Sequence, residues 1–110
     1  MKETFGEFIK RLRNEHKMTL TQLGGKIGVD SGALSKIENG KKRLDEKALP
    51  KLAKLFKLNL SELKDEFFSE LIANEIYENK CTEKVLELAE QKVKYIKAKN
   101  IKQAKLGFND

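Results

Sequence analysis

The sequence predicts an all-α fold, a five-helix domain followed by one or two further helices. Three observations carry that prediction. Lys, Leu and Glu dominate a chain of 110 residues that has one Pro and no Trp, a composition that favours helix. Apolar residues recur at helical spacing. The helix-start pattern of a Thr or Asn followed three residues later by Glu or Gln occurs at Thr4–Glu7, Thr19–Gln22 and Asn59–Glu62.

Thr4 opens the first helix, whose apolar stripe is Phe5, Phe8, Ile9 and Leu12 and which fades near His16–Lys17. Thr19 opens the second, with Leu20, Leu23 and Ile27 inward and Gly28 at its end, where a left-handed residue is most easily accommodated. Gly24 and Gly25 lie inside it, each costing roughly 1 kcal/mol against Ala. Close helix contact justifies Gly24, which adjoins the buried stripe, but nothing comparable justifies Gly25. Asp30 caps a third helix over Ser31 to Glu38, with Ala33, Leu34 and Ile37 inward and Asn39–Gly40 as its stop. Only about three residues separate the second and third helices, and a short Gly-Val turn between two short helices is a helix-turn-helix signature. Asp45 caps a fourth helix, roughly Glu46 to Lys57, with Pro50 in its first turn or just past it. Asn59 opens a fifth, with Leu60, Leu63, Phe67, Leu71, Ile72 and Ile76 in its stripe; it either runs on to Tyr77 or breaks near Asp65–Phe68. Thr82 precedes a last helix from about Glu83 to Lys97 or beyond, in which Leu86, Ala89, Val93 and Ile96 recur at the 3-4-3 spacing of a coiled-coil seam. The domain organisation expected is therefore 1–67 as the helix-turn-helix domain, 68–98 as a helical extension, and 99–110 as a basic, flexible tail.

Charge sharpens the functional reading. The net charge is +6, but residues 1–60 carry +7, residues 61–90 carry −6 and residues 91–110 carry +5. A basic front suggests a polyanionic partner. The first ten residues hold no apolar run of signal-peptide length and no stretch has the apolar length of a membrane span, while the single cysteine, Cys81, excludes an internal disulfide. A cytoplasmic protein is expected, with no membrane partner. Catalysis is not expected. The one histidine, His16, lies at a helix end, Cys81 has no neighbouring His, and no paired carboxylates, metal-ligand spacing or glycine-rich phosphate loop is present. No cofactor, metal or small-molecule ligand is implied.

The stretch from Leu20 to Leu63, with Leu23, Ile27, Val29, the turn Gly28 and the block LSKIENG at Leu34 to Gly40, resembles the phage-repressor-like, or Xre, family of helix-turn-helix DNA-binding domains. The resemblance covers roughly residues 4–67; residues 68–110 resemble, more loosely, the helical extension of some small regulators of that family. Leu20 stands where the family often has Gln, and Gly24 where it usually has Ala. The resemblance implies that the third helix is the recognition helix, entering the major groove of double-stranded DNA, with Ser31, Gly32, Ser35 and Lys36 toward base edges. It places Asn39, Lys41, Lys42 and Arg43 beside the phosphate strand, the backbone amides of Asn39 and Gly40 included. Thr19, Thr21 and Gln22, at the start of the second helix, are the other phosphate candidates. It also implies an ion pair between Arg13 and Glu38, tying the first helix to the end of the third. Because one such domain covers little DNA, a homodimer is expected on a two-fold operator, with Phe67, Phe68, Ile72, Ile76, Leu86, Val93 and Ile96 as its candidate interface. The leading reading is a sequence-specific transcriptional regulator, such as a repressor of its own promoter or a restriction–modification controller. The alternative is a protein-interaction module, such as an antitoxin whose C-terminal helices grip a partner protein.

Overall fold

A computed structural model describes the backbone of residues 2–105 and the side chains through Asn100. Among these residues every regular element is helical: α1 Phe5–Glu15, α2 Leu20–Ile27, α3 Ser31–Glu38, a single 3-10 turn Glu46–Ala48, α4 Leu49–Phe56, α5 Leu60–Glu78 and α6 Lys84–Lys105. The chain divides into two compact units, one ending at Leu71 and the other beginning at Ile72. The expected boundary after Phe67 falls earlier in the same helix, because α5 runs through without a break near Asp65–Phe68.

Each early helix starts as its cap dictates. The Thr4 hydroxyl accepts from the Glu7 amide at 3.0 Å while Glu7 accepts from the Thr4 amide at 2.8 Å. Thr19 and Gln22 repeat this reciprocal arrangement, and Asp30 and Asn59 accept from the Ala33 and Glu62 amides. These bonds satisfy first-turn amides that have no intrahelical partner. The fourth helix differs from the single helix expected over 46–57. Asp45 caps the 3-10 turn instead, and α4 begins at Leu49 with Pro50 as its second residue. Pro50 has no N–H to donate to the carbonyl four residues back, and its ring crowds that carbonyl, so the entry tightens to 3-10.

Four helix ends share one device. Lys17, Gly28, Lys57 and Lys80 take φ values of 53°, 77°, 56° and 55°, in the left-handed region. An apolar residue or cysteine follows each. Its amide closes back onto the helix: Met18 to Arg13, Val29 to Gly24, Leu58 to Ala53 and Cys81 to Ile76, at 2.8–3.0 Å. A Thr, Asp or Asn comes next. Left-handed residue, apolar lock and polar starter thus make a three-residue joint used four times, and Met18, Val29 and Leu58 pack against the core of the first unit.

That core is built from α1 to α4 and the start of α5. Ile9, Leu23, Ile27, Leu34, Leu44, Leu49 and Leu52 are its fully enclosed side chains, each contributing about 1.5–3 kcal/mol by burial. Phe67 stacks edge-on against Phe5, ring centroids 5.2 Å apart, and Glu70 accepts from the Phe5 amide at 3.0 Å. These interactions hold α5 to the start of α1. In the second unit every side chain from Glu78 to Asn100 is exposed, except Val85, which is half-buried. The backbone of α6 is helical as far as Lys105, into the stretch expected to be a tail, and residues 106–110 of that stretch lie outside the described residues.

Candidate nucleic-acid interface

The orientation of α3 follows from its two faces. Leu34 and Ile37 are buried, and Ser31, Gly32 and Lys36 are exposed. Ser35 lies at the margin, half-buried. Two close backbone approaches fix this seating. A β-carbon on Gly6 would collide with the carbonyl oxygen of Ile37, and one on Gly24 with that of Val29. The first lets α1 lie directly on the end of α3, and the second lets α2 and the turn into α3 close tightly. Gly25 meets nothing within 4 Å, so its missing side chain serves no close approach.

Glu38, the carboxylate at the end of the apolar stripe, is buried, with its side chain 4% exposed. An unpaired carboxylate there would be costly. Arg13 satisfies it with two bonds, Nε to Oε2 at 2.7 Å and Nη2 to Oε1 at 3.0 Å. The remaining Nη1 donates to the Met18 carbonyl at 2.9 Å. One guanidinium therefore joins α1, the joint before α2 and the end of α3. The hydrogen bonding to Glu38 raises the Arg13 pKa above its ordinary value, against the opposing effect of burial.

Past Glu38, Gly40 sits at φ 74° and closes the helix. The Gly40 amide donates to Ile37 at 3.1 Å, the Lys41 amide to Lys36 at 2.8 Å and the Asn39 amide to Ser35 at 3.1 Å. Asn39 Nδ2 also donates to the Ser35 carbonyl at 2.9 Å. This corrects the sequence-based expectation for Asn39 and Gly40: their backbone amides are consumed in ending the helix and are not available to a phosphate. Asn39 keeps only the second hydrogen of its side-chain amide. The cations Lys41, Lys42 and Arg43 are exposed, and Leu44 immediately after them is buried. Leu44 anchors the loop that carries the charge. The signal for it, one leucine between KKR and DEK, was present in the sequence.

At the start of α2, Thr19 and Gln22 spend the hydroxyl, the Gln22 amide oxygen and both backbone amides on each other. Gln22 Nε2 and the first-turn amides of Leu20 and Thr21 remain free to donate outward. Thr21 is exposed. His16 caps α1 with Nδ1 2.9 Å from the Leu12 carbonyl and its ring against Phe56, centroids 4.7 Å apart.

The residues expected at a dimer face divide. Phe67 is 4% exposed and belongs to the core beside Phe5, so it is not available to a second chain. Its position four residues after buried Leu63 places it on the inner face of α5. Phe68, Ile72, Leu86, Val93 and Ile96 are exposed, and Ile76 is half-buried.

Two short helices at a three-residue turn, the second with a buried apolar face, an exposed polar flank and a cationic loop at its end, define a helix-turn-helix domain. A family model described as helix-turn-helix matches residues 9–63. The chain is 40% identical over 92 residues to the HTH-type transcriptional repressor RghR of Bacillus subtilis (strain 168), covering 80% of this chain and 67% of that protein. It is 38% identical over 60 residues to the uncharacterized HTH-type transcriptional regulator RghRB of the same organism, covering 54% of this chain and 43% of that protein. No solved structure matches. The chain belongs to the helix-turn-helix family, and its class is that of DNA-binding transcription regulators. No described helix is long and apolar enough to cross a membrane.

Proposed function

We propose that the chain is a sequence-specific transcriptional repressor that binds operator DNA as a dimer, with α3 in the major groove. The observation that carries this reading is the two-sidedness of α3: Leu34, Ile37 and Glu38 are held inward, while Ser31, Gly32 and Lys36 face solvent just ahead of the exposed cations Lys41 to Arg43. Lys36 is suited to donate to guanine O6 or N7, and Ser31 to a base edge or phosphate. Lys41, Lys42 and Arg43 supply charge to one strand, and the α2 start supplies the Leu20 and Thr21 amides, the Thr21 hydroxyl and Gln22 Nε2 to the other side of the groove. The half-buried Ser35 contributes less than Ser31. The repressor assignment is supported by the name of the relative that shares 40% identity over most of this chain.

In-vitro selection of bound duplexes from a random pool tests the reading. The expected result is a two-fold site whose half-sites lie about 34 Å, one helical turn, apart. Recovery of unselected sequence, with affinity no better than for random duplex, would sink it.

A further inference from the structure

The proposed dimer leaves open which surfaces meet. The two C-terminal helices carry opposite charge in equal amount. α5 has six carboxylates and one lysine, net −5; α6 has seven lysines and two glutamates, net +5. Each also carries an apolar face that is largely exposed among the described residues, Ile76 alone being half-buried. On α5, Phe68, Ile72 and Ile76 recur every four residues, away from the buried Leu63 and Phe67. Asp65 and Glu75, both exposed, lie on that same face, three residues before Phe68 and three after Ile72. On α6, Leu86, Val93 and Ile96 are about half exposed, with exposed Lys92 and Lys97 flanking them. Two α6 helices pairing with each other would bring +5 against +5. An isolated helix has little stability in water without a partner for its apolar stripe.

We propose that α6 of one copy docks on α5 of a second copy, and reciprocally, with Leu86, Val93 and Ile96 against Phe68, Ile72 and Ile76 while Lys92 and Lys97 face Asp65 and Glu75. The occupant of each face is thus a second copy of this chain, chosen by charge as well as by apolar area. The inference rests on the dimer reading above and specifies its interface.

The test uses the full chain without DNA, followed by sedimentation equilibrium. One variant reverses the basic flank (Lys92→Glu with Lys97→Glu), the other the acidic flank (Asp65→Lys with Glu75→Lys). All four positions are exposed, and circular dichroism verifies that helix content is kept. Each variant alone is expected to dimerise at least about tenfold more weakly than the parent, with the parent itself weakened by salt. An equimolar mixture is expected to form heterodimers near parental affinity, because reversal on opposite flanks restores attraction between the two chains. A parent that is monomeric at tens of micromolar would overturn the dimer reading itself. A parental dimer whose variants self-associate unchanged, or whose mixture gains nothing over either variant alone, would overturn this pairing while leaving dimerisation standing.

Discussion

Arg13 shows how one side chain sets the position of α3 and with it the proposed DNA-reading surface. Its two bonds to Glu38 and one to the Met18 carbonyl are made largely out of solvent, the Arg13 side chain being only 13% exposed. Removing it strands a buried carboxylate. Arg13→Ala is expected to cost about 3–5 kcal/mol, measured by urea unfolding; a destabilisation below about 1 kcal/mol would mean that Glu38 finds water easily and that the pair orients nothing. The adjacent glycines of α2 make an opposed pair of predictions. Gly25→Ala adds a methyl in open space and is expected to stabilise by about 0.5–1 kcal/mol. Gly24→Ala drives a methyl into the Val29 carbonyl and is expected to lower the melting temperature, shifting the turn that carries α3. Equal responses at the two sites would contradict the close approach. At the proposed reading face, Lys36→Ala is expected to relax preference at one or two base positions, by about 1–3 kcal/mol each. An unchanged selected site would remove Lys36 from the base-reading set.

Among the elements, the joints between helices hold the least expected feature. A left-handed residue is usually glycine, since a side chain there costs roughly 1–2 kcal/mol. Three of the four three-residue joints use lysine instead. Lys57 is exposed, so its replacement by glycine relieves backbone strain while removing little packing. Lys57→Gly is expected to stabilise by about 0.5 kcal/mol, the net of strain relieved and unfolded-state freedom added. Destabilisation by about 1 kcal/mol or more would show that the lysine stem packs usefully. The starts of α2, α3 and α5 were legible in the sequence, because each capping side chain and the amide it accepts from lie three residues apart. The left-handed lysines were not, because nothing in lysine's own preferences announces that conformation; the joint reveals it only when the following apolar residue is seen to pack inward.

Across the whole molecule, charge is sorted along the chain. The basic first 60 residues hold the proposed DNA surface, and α5 and α6 hold opposite charges of equal size. Affinity for DNA is therefore expected to fall steeply with salt, and removing any cation that neutralises a phosphate flattens the dependence. Lys42→Ala is expected to weaken binding to all duplexes alike and to reduce the slope of log affinity against log salt by about 1. Anisotropy titrations at several salt concentrations check this, and weakening confined to the preferred site would reassign Lys42 to base reading.

The sequence by itself determined the caps of α1, α2, α3 and α5, the inward stripes of the first unit and the helix-turn-helix turn, since these rest on residues three or four apart along one backbone. Only the tertiary structure decided which donors remain free and which apolar residues face out. Closure of α3 onto Gly40 consumes the amides of Asn39 to Lys41, and the seat against Phe5 takes Phe67 out of any interface. Arg13 reaching Met18 as well as Glu38 depends likewise on how α1 lies across the fold. The physical reason is the same in each case: a hydrogen bond or a buried face is committed by partners distant in the chain, or by a backbone angle, that local spacing does not encode.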